Sequence, residues 1–152
     1  QQYRIKFILG KITAYVDALR LGKTTVDDLT SYTQTAVEIE HIMPQTCADK
    51  ELYGMNDEDF SVYINRLGNL TLLENSINKS IHNDVYANKS KAYKQSKFYL
   101  TSSLSELVNQ GHDTAINRTN SLLFAWSDWN KRSIEERQEM LYRLSEMIWE
   151  MS

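Results

Sequence analysis

Two short β-prone runs, Ala36 to Ile42 and Asn69 to Leu73, interrupt a chain whose apolar residues otherwise recur at helical spacing. So little strand restricts the β element to something small and leaves helices to build most of the core. The expected class is therefore mainly α (α+β). Pro44 bars extension of the first run as an interior strand, which ends it near His41. One proline and five glycines leave little turn punctuation for a β-rich alternative.

Helical periodicity accounts for most of the remainder. Ile5, Ile8, Leu9, Ile12, Tyr15, Val16 and Leu19 share one face, and Gly22 is placed to stop that helix. A second short helix is expected over residues 25–32, capped by Thr24 or Thr25. Phe60, Tyr63, Ile64 and Leu67 repeat at i, i+3, i+4 and i+7 behind a run of acids, and Gly68 ends that helix to release the second strand. A lysine-bearing helix is expected over 83–98, and further ones over 102–110, 120–129 and 134–149. The last opens with a capping box, Ser133-Ile-Glu-Glu136. There is no repeat and no linker, so the expected organisation is a single domain over residues 1–152, with its core at about 36–98 between flanking helices at 3–21 and 102–150.

Composition narrows the function classes. The 152 residues with 41% hydrophobic content suffice for a buried core. The single cysteine, Cys47, excludes an internal disulfide and a cysteine-built zinc site, and implies a reducing compartment. No run of about 18 apolar residues exists to span a bilayer, and the first residues do not form a secretory signal, so a cytoplasmic protein is expected. The chain opens without Met and almost directly in helical periodicity, as a piece of a longer protein would. A net charge of −3 argues against a general polyanion-coating protein. Charge is nonetheless uneven. Lys79, Lys89, Lys91, Lys94 and Lys97 cluster behind the second strand, where a phosphate backbone would have to pass.

His41 closes the first run behind Glu40, and the second run carries Asn69. A histidine at a strand end can accept a proton from water near neutral pH, while carboxamides and acids nearby hold a divalent cation against a phosphate. Each residue also has a plain structural reading. A histidine near a proline is most often a satisfied surface or core residue. Asn69 can serve a turn after Gly68, and Asn78 a helix cap. The lysines can be a solvated helix face, and Trp126, Trp129 and Trp149 sit in helical stretches as core residues. His112 has no evident partner.

Three segments together, Glu40-His-Ile-Met-Pro-Gln45, Asn65-Arg-Leu-Gly-Asn-Leu-Thr-Leu-Leu73 and Asn78-Lys-Ser-Ile-His-Asn83 followed by Tyr86, Lys89 and Tyr93, carry a resemblance. They resemble the C-terminal HNH nuclease domain of GmrSD, SspE and BrxU type proteins, bacterial modification-dependent restriction and anti-phage systems. The resemblance extends through Arg4 to Leu9 and through Arg137 and Trp149, nearly the whole chain.

It implies a helical domain enclosing a small ββα-metal finger, and a Mg²⁺- or Mn²⁺-dependent DNA endonuclease that nicks or breaks DNA. His41 would be the general base, Asn69 the support of the catalytic loop, and Asn78 a catalytic metal ligand. Glu40 would be a further ligand, although adjacent strand residues point to opposite faces. His82 and Asn83, one helical turn beyond, are alternatives or supplements to Asn78. Arg66, Lys79 and Lys89 would contact phosphate. An N-terminal nucleotide-hydrolysing module of the same protein would sense modified DNA, such as glucosylated or phosphorothioate DNA, and oligomers are compatible with the scheme. The alternatives are a catalytically silent helical module that binds DNA or a partner, and an RNase of the same fold.

Overall fold

The computed structural model describes residues 1–26 and 28–150. The elements run α1 (Gln2–Arg20), α2 (Thr30–Thr33), β1 (Val37–His41), a 3₁₀ turn (Lys50–Tyr53), α3 (Asp57–Tyr63), a second 3₁₀ turn (Leu67–Asn69), β2 (Leu70–Glu74), α4 (Asn75–Ile81), α5 (Tyr86–Tyr93), α6 (Tyr99–Ser102), α7 (Ala115–Asn120) and α8 (Lys131–Glu150). The mainly α (α+β) class is what the chain adopts. Among the described residues no helix is long and apolar enough to cross a membrane.

The two strands pair antiparallel, with Val37 opposite Glu74 and His41 opposite Leu70. The second strand is one residue later than its sequence pattern suggests, so Asn69 lies in the 3₁₀ turn before it. The hairpin sits inside the helices. One apolar cluster joins Ile12 and Val16 of α1 to Ile42, Met43 and Leu73, and to Ile134, Leu141 and Leu144 of α8. A smaller cluster packs Leu9, Tyr32, Val37, Leu70, Leu72 and Phe98 on the other side. Trp126 and Trp129 are core residues, whereas Trp149 is 45% exposed and does not join them.

Local chemistry explains where the elements stop. α1 ends as expected at Gly22 (φ 69°), which lets Gly22 N–H reach Leu19 and Lys23 N–H reach Ala18. Asn56 caps α3 by accepting from Asp59 N–H at 2.8 Å. That helix stops at Tyr63, so Gly68 is not its terminator. Gly68 serves close packing instead. A Cβ there would lie 2.3 Å from the Ile134 carbonyl and 2.9 Å from the Gln138 nitrogen, both on the backbone of α8. Gly68→Ala is therefore expected to cost roughly 1–3 kcal/mol or more by forcing α8 away from the hairpin. Urea unfolding checks it, and an unchanged midpoint would refute the close approach.

The lysine helix expected over 83–98 is the shorter α5, Tyr86–Tyr93. After Ile81 the chain turns, and the Asp84 carboxylate takes Val85 N–H at 2.8 Å and the Asn88 amide at 3.0 Å. A short acid competing for backbone donors breaks a helix in this way. A separate helix, α4 over Asn75–Ile81, precedes α5 and carries Asn78. In α8 the reciprocal cap lies three residues early. Asn130 Oδ1 accepts from Ser133 N–H and Ser133 Oγ accepts from Asn130 N–H, making Ser133 the third helical residue and not the cap. The helices expected over 25–32, 102–110 and 120–129 are reduced or displaced to Thr30–Thr33, Tyr99–Ser102 and Ala115–Asn120. Asp28, not Thr24 or Thr25, takes the Thr30 N–H before α2, and Asp27 lies outside the described residues.

Candidate active site

The site is organised around one buried amide. Asn69 is 0% exposed. Its Oδ1 accepts from Met43 N–H at 2.8 Å and from the Trp129 indole N–H at 3.0 Å. Its Nδ2 donates to the Met43 carbonyl at 3.1 Å and the Ile64 carbonyl at 2.9 Å. The side chain thus ties the segment leaving β1 to the segment leaving α3. On either side of it, the Gly68 and Leu70 carbonyls accept from the guanidinium of Arg137, an α8 residue that is itself fully buried. Burial lowers the Arg137 pKa to about 10.

His41, the last residue of β1, is only half-buried, and its Nε2 lies 3.0 Å from Asn65 Oδ1. Glu40 points the other way, as strand alternation requires, and is 3% exposed. Its Oε2 accepts from Lys89 Nζ at 2.9 Å and from the Tyr93 hydroxyl at 2.7 Å. Lys89 also donates to the His41 carbonyl at 2.8 Å. Burial, with Glu40 alongside, holds the Tyr93 phenol well above its ordinary pKa. Lys89 is 0% exposed, so it is not the phosphate contact expected of it. An ammonium left unpaired here would carry a large desolvation cost, which attraction to the Glu40 carboxylate offsets. Glu40 itself therefore belongs to a buried ion pair that fixes the end of β1.

Asn78 lies inside α4 and not at a helix opening, so it caps nothing. Its Nδ2 donates to Glu38 Oε2 at 2.7 Å, while its Oδ1 is buried without a hydrogen-bond partner. A buried acceptor oxygen with no donor, next to a carboxylate, suits a hard divalent cation, which takes oxygen ligands. Any such donor set would draw on the carboxamide, because the described residues contain no group of three or more His, Cys, Asp and Glu placed to hold a metal. His82 and Asn83 follow α4 on exposed positions.

Arg66 lies with its guanidinium 4.0 Å above the Tyr63 ring, and Lys131 Nζ is 5.3 Å from the same ring and 3.3 Å from Asp59. These two cations flank the turn that carries Asn65. Lys79, Lys91, Lys94 and Lys97 are exposed. Three residues at the site had no role assigned from sequence. Glu38 had a usable signal, since it stands two residues before Glu40 and so shares its strand face. Asn65 and Lys131 had none, because which side chain meets His41 or Tyr63 is decided by the packing of α3 and α8.

The fold and site define a class: a helical domain around a two-stranded hairpin and following helix, with a strand-end histidine held by a buried polar frame. The family model for the C-terminal domain of GmrSD restriction endonucleases matches residues 1–144, and the chain belongs to that family. Membership implies a nuclease role related to restriction endonucleases, with DNA as substrate. No curated protein and no solved structure matches the chain.

Proposed function

We propose that this chain is an HNH-type, divalent-metal-dependent DNA endonuclease, the effector domain of a modification-dependent restriction or anti-phage system. The observation that carries the reading is the Asn69 amide, whose four hydrogen bonds hold the segments on both sides of the His41–Asn65 pair. Such a frame presents one ionisable side chain at the surface with its backbone fixed, as general-base catalysis requires.

His41 takes a proton from water as the water oxygen attacks phosphorus. The bond from phosphorus to the leaving oxygen breaks, and the electron pair departs with that oxygen, which is protonated from solvent. Asn78 Oδ1 and the Glu38 carboxylate are the groups we assign to a cation. Mg²⁺ or Mn²⁺ there would sit on the strand face opposite the His41 ring, and the chemistry such a cation would supply is neutralisation of phosphoryl charge. Arg66, Lys131 and Lys79 hold the phosphate backbone without reading its sequence. In this scheme, recognition of the modification belongs to a nucleotide-hydrolysing module elsewhere in the protein.

The test is supercoiled plasmid incubated with the domain in Mg²⁺, Mn²⁺ or EDTA, beside a matched RNA. Nicked or linear plasmid in metal, none in EDTA and intact RNA are expected. No cleavage of either nucleic acid in any metal would favour a silent binding module, and cleavage of RNA alone an RNase.

A further inference from the structure

The contact between His41 Nε2 and Asn65 Oδ1, 3.0 Å, has a chemical direction. A carboxamide oxygen only accepts, so Nε2 must carry the proton and the lone pair of the neutral ring lies on Nδ1. We propose that Asn65 is a positioning residue that holds His41 in its Nε2–H tautomer and makes Nδ1 the atom that takes the proton from water. The catalytic part of this rests on the nuclease reading above; the tautomer does not.

Asn65 is exposed, and an exposed loop amide would ordinarily swing freely. Here both its neighbours and those of His41 are fixed by the same buried group. Asn69 Nδ2 holds the carbonyl of Ile64, the residue before Asn65, and the Asn69 amide binds both N–H and carbonyl of Met43, two residues after His41. The turn between them is closed by Arg66 N–H to the Tyr63 carbonyl and Asn69 N–H to the Arg66 carbonyl. The separation of ring and amide is thus set by the frame and not by chance contact.

The bond also strengthens at the right moment. When Nδ1 takes the water's proton, the ring becomes a cation that still donates from Nε2 to Asn65. A charge-assisted hydrogen bond is stronger than the neutral one it replaces. The reverse amide orientation would donate to Nε2, force the proton onto Nδ1 and remove the base.

The experiment is nitrogen NMR of the whole chain with ¹⁵N-labelled histidine, without metal or DNA. Three histidines are present, and His41→Ala assigns the signal of interest. The Nε2–H form with a slowly exchanging ring proton is expected for the wild type. Asn65→Ala should lose that protected proton and mix the tautomers, whereas Asn65→Asp, which keeps an acceptor oxygen, should retain the Nε2–H form. In plasmid nicking, Asn65→Ala should lower kcat by roughly 10- to 100-fold, the scale for a group acting through a histidine's second nitrogen, with KM little changed. An Nδ1–H ring in the wild type, or ring signals unmoved by Asn65→Ala, would overturn the proposal, as would unchanged nicking by that variant. Expected ring signals beside a wild type that cuts no DNA would instead overturn the nuclease reading beneath it.

Discussion

Plasmid nicking by His41→Ala should fall by roughly a hundredfold to ten-thousandfold, the contribution a positioned general base makes, with the fold left intact. The imidazole is half-buried at the hairpin's end and its one described side-chain partner is the exposed Asn65. Its backbone stays in register opposite Leu70, and its carbonyl stays bound to Lys89. Unfolding in urea should therefore move by no more than roughly 0.5 kcal/mol, as for a surface substitution. Parallel nicking and unfolding curves check both halves. Nicking at the wild-type rate would place the base elsewhere.

Asn69→Ala should behave in the opposite way, losing stability and activity together. The substitution removes a fully buried amide and leaves Met43 N–H, the Met43 and Ile64 carbonyls and the Trp129 indole N–H without it. Each buried polar group stranded in this way costs about 1–3 kcal/mol, so even the lower end gives a loss of roughly 4 kcal/mol. Many domains have only about 5–15 kcal/mol to lose. Asn69→Asp restores the two acceptor bonds but not the two donations, and it buries a charge, so it should rescue little. Chemical denaturation separates these expectations, and a stable Asn69→Ala protein would mean that water or another side chain fills the frame.

The long helices and the hairpin were readable because each has a strong period and a physical stop. α1 ends on Gly22 in a left-handed turn, β1 ends before Pro44, and α8 has an apolar stripe of Ile134, Leu141 and Leu144. The extent of α4 was not readable, since Asn75, Ser76, Asn78 and Ser80 are weak helix formers, and the chain turns after it where the Asp84 side chain takes Val85 N–H. At the site, His41 and Asn69 stood out by motif. Lys89 was misread because lysine is almost never fully buried without a partner, and the partner, Glu40, lies 49 residues earlier on a strand. Asn65 gains meaning only after chain closure, which aims its amide at His41. Local sequence patterns do not report on contacts of that range.

Arg137 gives the hairpin a place in time as well as in space. Its bonds to the Gly68 and Leu70 carbonyls span 69 and 67 residues, and Trp129 reaches Asn69 across 60. A lone two-stranded hairpin is at best marginally stable in water. During synthesis, which runs from the N-terminus, β1, β2 and His41 leave the ribosome well before the helix that completes their frame. The geometry of the candidate site is consequently among the last things this chain acquires. A nascent or truncated chain lacking α8 would carry every proposed reacting group and still have no site.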